Sequence, residues 1–67
     1  MQFKLDSDYI ELYKLLKILD LVDSGGQAKL LISEGYVVRN GEVEQRKRAK
    51  IVSGDIIEIA DARVEVV

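Results

Sequence analysis

Ser24-Gly25-Gly26-Gln27-Ala28-Lys29-Leu30-Leu31-Ile32-Ser33-Glu34-Gly35 runs directly into Tyr36-Val37-Val38-Arg39-Asn40-Gly41-Glu42-Val43, and the hydrophobic period changes at the junction. The first half reads as a helix. Ser24 with Gln27 three residues on is a capping-box pair, Ala28, Leu31 and Ile32 form its buried stripe, and Gly35 supplies its stop. The second half reads as a hairpin. Asn40-Gly41 is the strongest short-range signal for a tight type I′ turn, and strands over 36–39 and 42–45 then oppose Val38 to Val43 and Arg39 to Glu42.

Upstream, Leu12, Leu15, Leu16 and Leu19 fall on one stripe of a helix spanning Tyr9 to Leu19. Asp6, Ser7 and Asp8 all offer N-cap oxygens. Asp6 would staple Leu5 to Ile10, and Asp8 would pair with Glu11; the sequence leaves the choice open. Leu21-Val22-Asp23 is a short link, so the two helices must pack on one another or meet at an angle. Downstream, Ile51-Val52, 56–59 and 64–67 read as short strands, with turns at Ser53-Gly54-Asp55 and Asp61-Ala62. Phe3 and Leu5 can add an edge strand. The expectation is an α+β fold: two N-terminal helices packed on a small, mostly antiparallel sheet.

The chain of 67 residues has room for one domain, 1–67, which buries about 60 % of its unfolded surface. Without cysteine or histidine it lacks disulfides and the commonest zinc ligands, so neither metal nor cofactor is expected. No apolar run approaches a membrane span, and the N-terminus does not read as a secretory signal. A cytoplasmic monomer is expected. The absence of histidine and cysteine also leaves no ready base or thiolate near neutral pH, and Ser24 has no partner base, so an enzyme is the weakest reading.

The net charge of −2 conceals an asymmetry. Between positions 39 and 50, Arg39, Arg46, Lys47, Arg48 and Lys50 face only Glu42 and Glu44, a balance of +3, whereas the remainder carries −5. Arg46-Lys47-Arg48-Ala49-Lys50 is the densest charge in the chain. Arginine's planar fork suits phosphate oxygens and lysine acts as a point charge, so the stretch is a candidate phosphate site. The alternative is a solvated loop or edge strand protected by its lysines. The corner Ser24-Gly25-Gly26-Gln27, followed by Lys29, is a second candidate, because a helix N-terminus presents free N–H groups to an anion. Lys14 can extend the basic surface. Arg39 and Asn40 stand beside the hairpin turn, where Arg39 is expected to pair with Glu42. Tyr9, Tyr13 and Tyr36 are expected to pack at the core or its rim rather than stack bases.

Taken in order, Leu12-x-Lys14-Leu15-Leu16, Ser24-x-x-Gln27-Ala28-Lys29-x-Leu31-Ile32-x-x-Gly35, Val37-x-x-Asn40-Gly41-x-Val43 and Ile51-x-x-Gly54-Asp55-x-Ile57 resemble the S4 RNA-binding domain. Glu44-x-Arg46-Lys47-Arg48-x-Lys50-Ile51 further resembles the small stand-alone S4-like proteins of bacteria. The resemblance implies an S4-like fold built on the αL motif that grips structured RNA, with ribosomal RNA and ribosomal particles the expected partners. Five positions depart from the family pattern. Many members begin Arg-Leu-Asp-Lys where this chain has Glu11 and Tyr13 at the first and third places; Gly25 and Gly26 stand where a basic residue often follows the cap; and Arg39 replaces an apolar residue. These losses shift the expected contacts toward residues 46–50. The competing reading is a protein-interaction module that meets a basic partner, such as a ribosomal protein, through the acidic surface.

Overall fold

The hairpin is where the sequence puts it. In the computed structural model, which describes residues 1–67, the order is β1 (Gln2–Phe3), β2 (Ile10–Glu11), α1 (Leu12–Ile18), α2 (Gly25–Ser33), β3 (Val37–Arg39), β4 (Glu42–Val43), β5 (Lys50–Ile51), β6 (Ile56–Ile59) and β7 (Ala62–Val66). Val38 opposes Val43 and Arg39 opposes Glu42, and Asn40 and Gly41 both take positive φ, 51° and 86°. That is the backbone a type I′ turn demands.

Five strands form the main sheet in the order β1-β7-β6-β3-β4, antiparallel except for the β1–β7 edge. The α+β expectation holds, with one difference in detail. The strand at Ile51 does not join this sheet; β5 pairs with β2 in a separate two-stranded ribbon, Ile10 against Ile51 and Glu11 against Lys50.

The ribbon also moves the start of the first helix. Expected from Tyr9, α1 begins at Leu12, because Ile10 and Glu11 are taken up by β5. None of Asp6, Ser7 and Asp8 caps it. Glu11 occupies the cap position without a side-chain cap bond, and the Leu12 and Tyr13 N–H groups donate instead to the carbonyls of Ala49 (2.9 Å) and Lys47 (3.1 Å). Tertiary backbone acceptors have replaced the local oxygen. In α2 the Ser24 hydroxyl accepts from the Gln27 N–H at 3.1 Å as expected, but the Gln27 amide oxygen accepts from the Asp23 N–H, one residue outside the standard box.

Both helices end alike. The N–H groups of Asp20 and Leu21 donate to Lys17 and Leu16, and those of Gly35 and Tyr36 to Ile32 and Leu31, the 5→2 and 6→1 bonds of a Schellman ending. Asp20 and Gly35 supply the left-handed residue, at φ 60° and 88°. The turn between β6 and β7 is Ala60-Asp61 rather than Asp61-Ala62, since Ala62 already pairs with Ile59.

Leu12, Leu15 and Leu16 of α1, Ala28 and Ile32 of α2, and alternating residues of the sheet (Ile57, Ile59, Val64, Val66) make one core, into which Val37 and Ile51 also pack. Fully burying each of the larger side chains contributes about 1.5–3 kcal/mol. Leu19 and Leu31, expected in the stripes, lie at its edge. No helix is long and apolar enough to cross a membrane.

Two turn residues test the backbone argument. Ala60 holds φ 50° without the freedom of glycine, so Ala60→Gly is expected to raise stability by about 0.5–1 kcal/mol in urea denaturation. Gly35→Ala forces a Cβ into φ 88° and is expected to lower it by about 1–2 kcal/mol.

Candidate nucleic-acid interface

The stretch from Arg46 to Lys50 is held by its own main chain. Besides the two carbonyls that receive α1, the Lys50 carbonyl accepts from Arg39 Nη2 at 2.9 Å, and Ala49 is buried in the core. With the carbonyls of 47, 49 and 50 committed inward, the charged side chains of Arg46, Lys47, Arg48 and Lys50 are left exposed. A long cation costs least where its head stays in water.

These side chains meet the helices around one ring. Lys29 Nζ lies 4.6 Å from the centroid of Tyr13, Lys14 Nζ 5.9 Å and the Arg48 guanidinium 5.9 Å. Cations are drawn to the negative face of an aromatic ring, so Tyr13 partly offsets the repulsion among three like charges. A Cβ built on Gly25 would stand 3.9 Å from Tyr13 Cδ2, which brings the start of α2 to the same ring. Lys50 Nζ lies 5.0 Å over Tyr9. Glu11, in the position where the family often has arginine, anchors the cluster from below: Lys14 Nζ is 3.1 Å and Arg48 Nε 4.0 Å from its carboxylate. The hydrogen bond that Lys14 donates to the Glu11 carboxylate holds its ammonium above its ordinary pKa. Beside this cluster, Arg39, Arg46, Arg48, Ala49 and Lys50 line an open concavity of about 450 Å³.

Two carboxylates organise the far side of that concavity. Asp55 accepts from the Val52 N–H (2.9 Å), Arg39 Nη2 (2.9 Å) and Asn40 Nδ2 (2.8 Å). Burial alone would raise its pKa most, but the donors from Val52, Asn40 and Arg39 together outweigh burial and lower it. Glu44 accepts from Arg46 Nε and Nη2, both at 3.0 Å, and from Arg39 Nη1 at 3.4 Å. The Arg46 hydrogen bonds, opposed by burial, bring Glu44 down to about 2.

This clasp changes the reading of two candidates. Arg39 stands opposite Glu42 in register, yet its guanidinium bonds Asp55, Glu44 and the Lys50 carbonyl, not Glu42. Asn40 donates to Asp55 and accepts from the Ile56 N–H at 2.8 Å, so its amide is anchored to the fold through one N–H and its oxygen. Both fasten the hairpin to the turn before β6. Arg46 is different: its side chain is 75 % exposed, and Glu44 takes only its Nε–Nη2 edge, leaving Nη1 without a protein partner.

At the start of α2, the Ser24 and Gln27 side chains are occupied in capping, whereas the Gly25 and Gly26 N–H groups have no protein partner. Sequence reasoning missed Tyr13 and Glu11 as the centre of the cluster, because their partners Lys29 and Arg48 are 16 and 37 positions away. Tyr36, expected to pack, is 63 % exposed.

The model of the family described as "S4 domain" matches residues 3–67. The chain is 48 % identical over 59 residues to YbcJ of Escherichia coli, covering 88 % of this chain and 84 % of that protein. It is 40 % identical over 55 residues to RlbA of Bacillus subtilis, named a "probable ribosome maturation protein", covering 82 % and 78 %. The solution structure of YbcJ, described as revealing an αL motif involved in RNA-binding, is similar at a TM-score of 0.75 and 45 % identity, covering 98 % of this chain and 85 % of that one.

The clasp sets the acid behaviour of the fold. Glu44 is held at about 2 against an ordinary 4.5, so its contribution is complete above pH 4.5 and is lost as pH falls toward 2; Asp55 shifts in the same direction. Urea midpoints are expected to be level near neutrality and to drop across that window. Glu44→Gln is expected to lower stability at pH 7 by about 1–2 kcal/mol and to flatten the acid limb.

Proposed function

The chain belongs to the S4 domain family, and on that footing we propose that it binds structured RNA, ribosomal RNA in particular, and catalyses nothing by itself. The observation that carries this reading is the convergence of Lys14, Lys29 and Arg48 on Tyr13, continuous with the exposed Arg46, Lys47 and Lys50. Charges from three segments of an acidic chain are gathered on one face, which is the electrostatic footprint of a phosphate ligand. The αL motif reported for YbcJ and the ribosome-maturation name of RlbA support RNA and a ribosomal source.

In this reading residues 1–67 act as one unit. Lys47, Arg48 and Lys50 contact phosphates, and Arg46 offers the edge that Glu44 leaves open. Gly25 and Gly26 present two backbone N–H groups at the positive end of α2. Such contacts read shape more than sequence. Arg39 and Asn40 act indirectly, by holding the carbonyl of Lys50 and the turn before β6 in place. Against catalysis stand the two buried carboxylates, both pushed toward the ionised form, the opposite of what a general acid requires.

Filter binding to a ribosomal stem-loop across a salt series tests the reading. The logarithm of affinity is expected to fall linearly with the logarithm of salt. The triple variant Lys47→Gln, Arg48→Gln, Lys50→Gln should flatten that slope by about one per cation removed. Arg46 is left intact because Glu44 depends on it. Unchanged binding by the triple variant would overturn the proposal. Gly26→Ala, whose Cβ meets only Ser24 Oγ at 3.8 Å, is expected to stabilise the helix by about 0.5 kcal/mol while weakening RNA binding, because the methyl group obstructs the approach to its N–H.

A further inference from the structure

The helix that carries Lys29 on one flank carries a different surface on the other. At about 100° per residue, Lys29 and Leu31 lie on opposite sides of the buried stripe formed by Ala28 and Ile32. Leu31 opens into an apolar groove of about 420 Å³, shared with Leu21, Tyr36, Ile59 and the β6–β7 turn. Two Schellman endings place its walls. Leu21 is the residue whose N–H closes the end of α1, and Tyr36 the one whose N–H closes the end of α2. The groove therefore sits where both helices present their negative ends. Asp61 lines it, and the exposed Asp20 and Glu34 adjoin Leu21 and Gly35 in the chain. Neither lysine nor arginine lines it.

An exposed aromatic beside an apolar groove whose one charged lining residue is Asp61, with Asp20 one residue before Leu21 and Glu34 two before Tyr36, has a definite preference. A second copy would bring the same carboxylates against its own, and RNA phosphates or an anionic lipid surface would be repelled in the same way. We infer that this groove docks a lysine- and arginine-rich protein segment carrying one aromatic or aliphatic anchor, which inserts beside Tyr36 while its cations meet Asp61, Glu34 and Asp20. The apolar anchor supplies affinity and the acidic margin supplies orientation and rate of encounter. The inference does not depend on RNA binding. If both hold, the chain joins an RNA on the Tyr13 side to a basic protein on the Tyr36 side.

The test is an amide-shift titration of the full chain with a synthetic peptide in which one phenylalanine is flanked on each side by three lysine or arginine residues. A peptide with serine in place of phenylalanine serves as control. Shifts are expected to centre on Leu21, Leu31, Tyr36 and the 60–62 turn. Tyr36→Ser is expected to weaken binding by about tenfold and Asp61→Asn by a few-fold. The Lys47, Arg48, Lys50 triple variant should bind the peptide as the unaltered chain does, which separates this surface from the RNA reading. Equal binding of the serine peptide, or shifts spread evenly over the acidic residues, would overturn the inference. So would groove shifts that appear with protein concentration alone, because a second copy would then be the occupant. Should Tyr36→Ser lose its dispersed spectrum, Asp61→Asn at the exposed turn decides the matter.

Discussion

The first helix has no cap of its own. Its leading N–H groups are received by the carbonyls of Lys47 and Ala49, from a segment more than thirty residues downstream. An unpaired backbone donor at a helix start costs free energy comparable to a lost hydrogen bond, so α1 and the 46–50 segment are obliged to come together. Once they do, the β2–β5 ribbon forms beside them and Ala49 enters the core. The charged side chains around those carbonyls, Arg46, Lys47, Arg48 and Lys50, are all exposed. The cationic face is a consequence of how a neutral backbone satisfies its hydrogen bonds.

A second constraint keeps that face in register with the sheet. Asp55 and Glu44 join the hairpin, the turn before β6 and the 46–50 segment through Arg39, Asn40 and Arg46. The arginine at position 39, unusual for the family, is thus the hub of an ionic clasp and not a loose surface charge. Glu11 makes the same point. An acid in a place where relatives often carry arginine looks like a loss of RNA contact, yet it draws Lys14 and Arg48 onto one spot beside Tyr13. Charges lost at one position are recovered by holding others together.

The two flanks of α2 illustrate how little area a chain this small needs for two surfaces. One helix of nine residues buries Ala28 and Ile32, turns Lys29 toward the cationic cluster and Leu31 toward the apolar groove. The overall negative charge, which alone argues against a nucleic-acid ligand, therefore coexists with a face on which Arg46, Lys47, Arg48 and Lys50 are all exposed.

Local rules acting within a few residues were fully legible in the sequence. The Ser24 cap, the Gly35 stop, the Asn40-Gly41 turn with its register, and Leu12, Leu15 and Leu16 of the α1 stripe all follow from steric and hydrogen-bonding preferences over one turn of chain. The exposed run from Arg46 to Lys50 was equally plain, because four cations in five residues cannot be buried. What the sequence misjudged was decided by partners far along the chain. The start of α1 moved because Lys47 and Ala49 outcompeted Asp6, Ser7 and Asp8; Arg39 turned from Glu42 to Asp55 and Glu44; and Tyr13 became the centre of the cationic face through Lys29 and Arg48. Short-range preferences are fixed by covalent geometry, whereas the choice among competing donors and acceptors is settled only when folding brings them within three ångströms or so of one another.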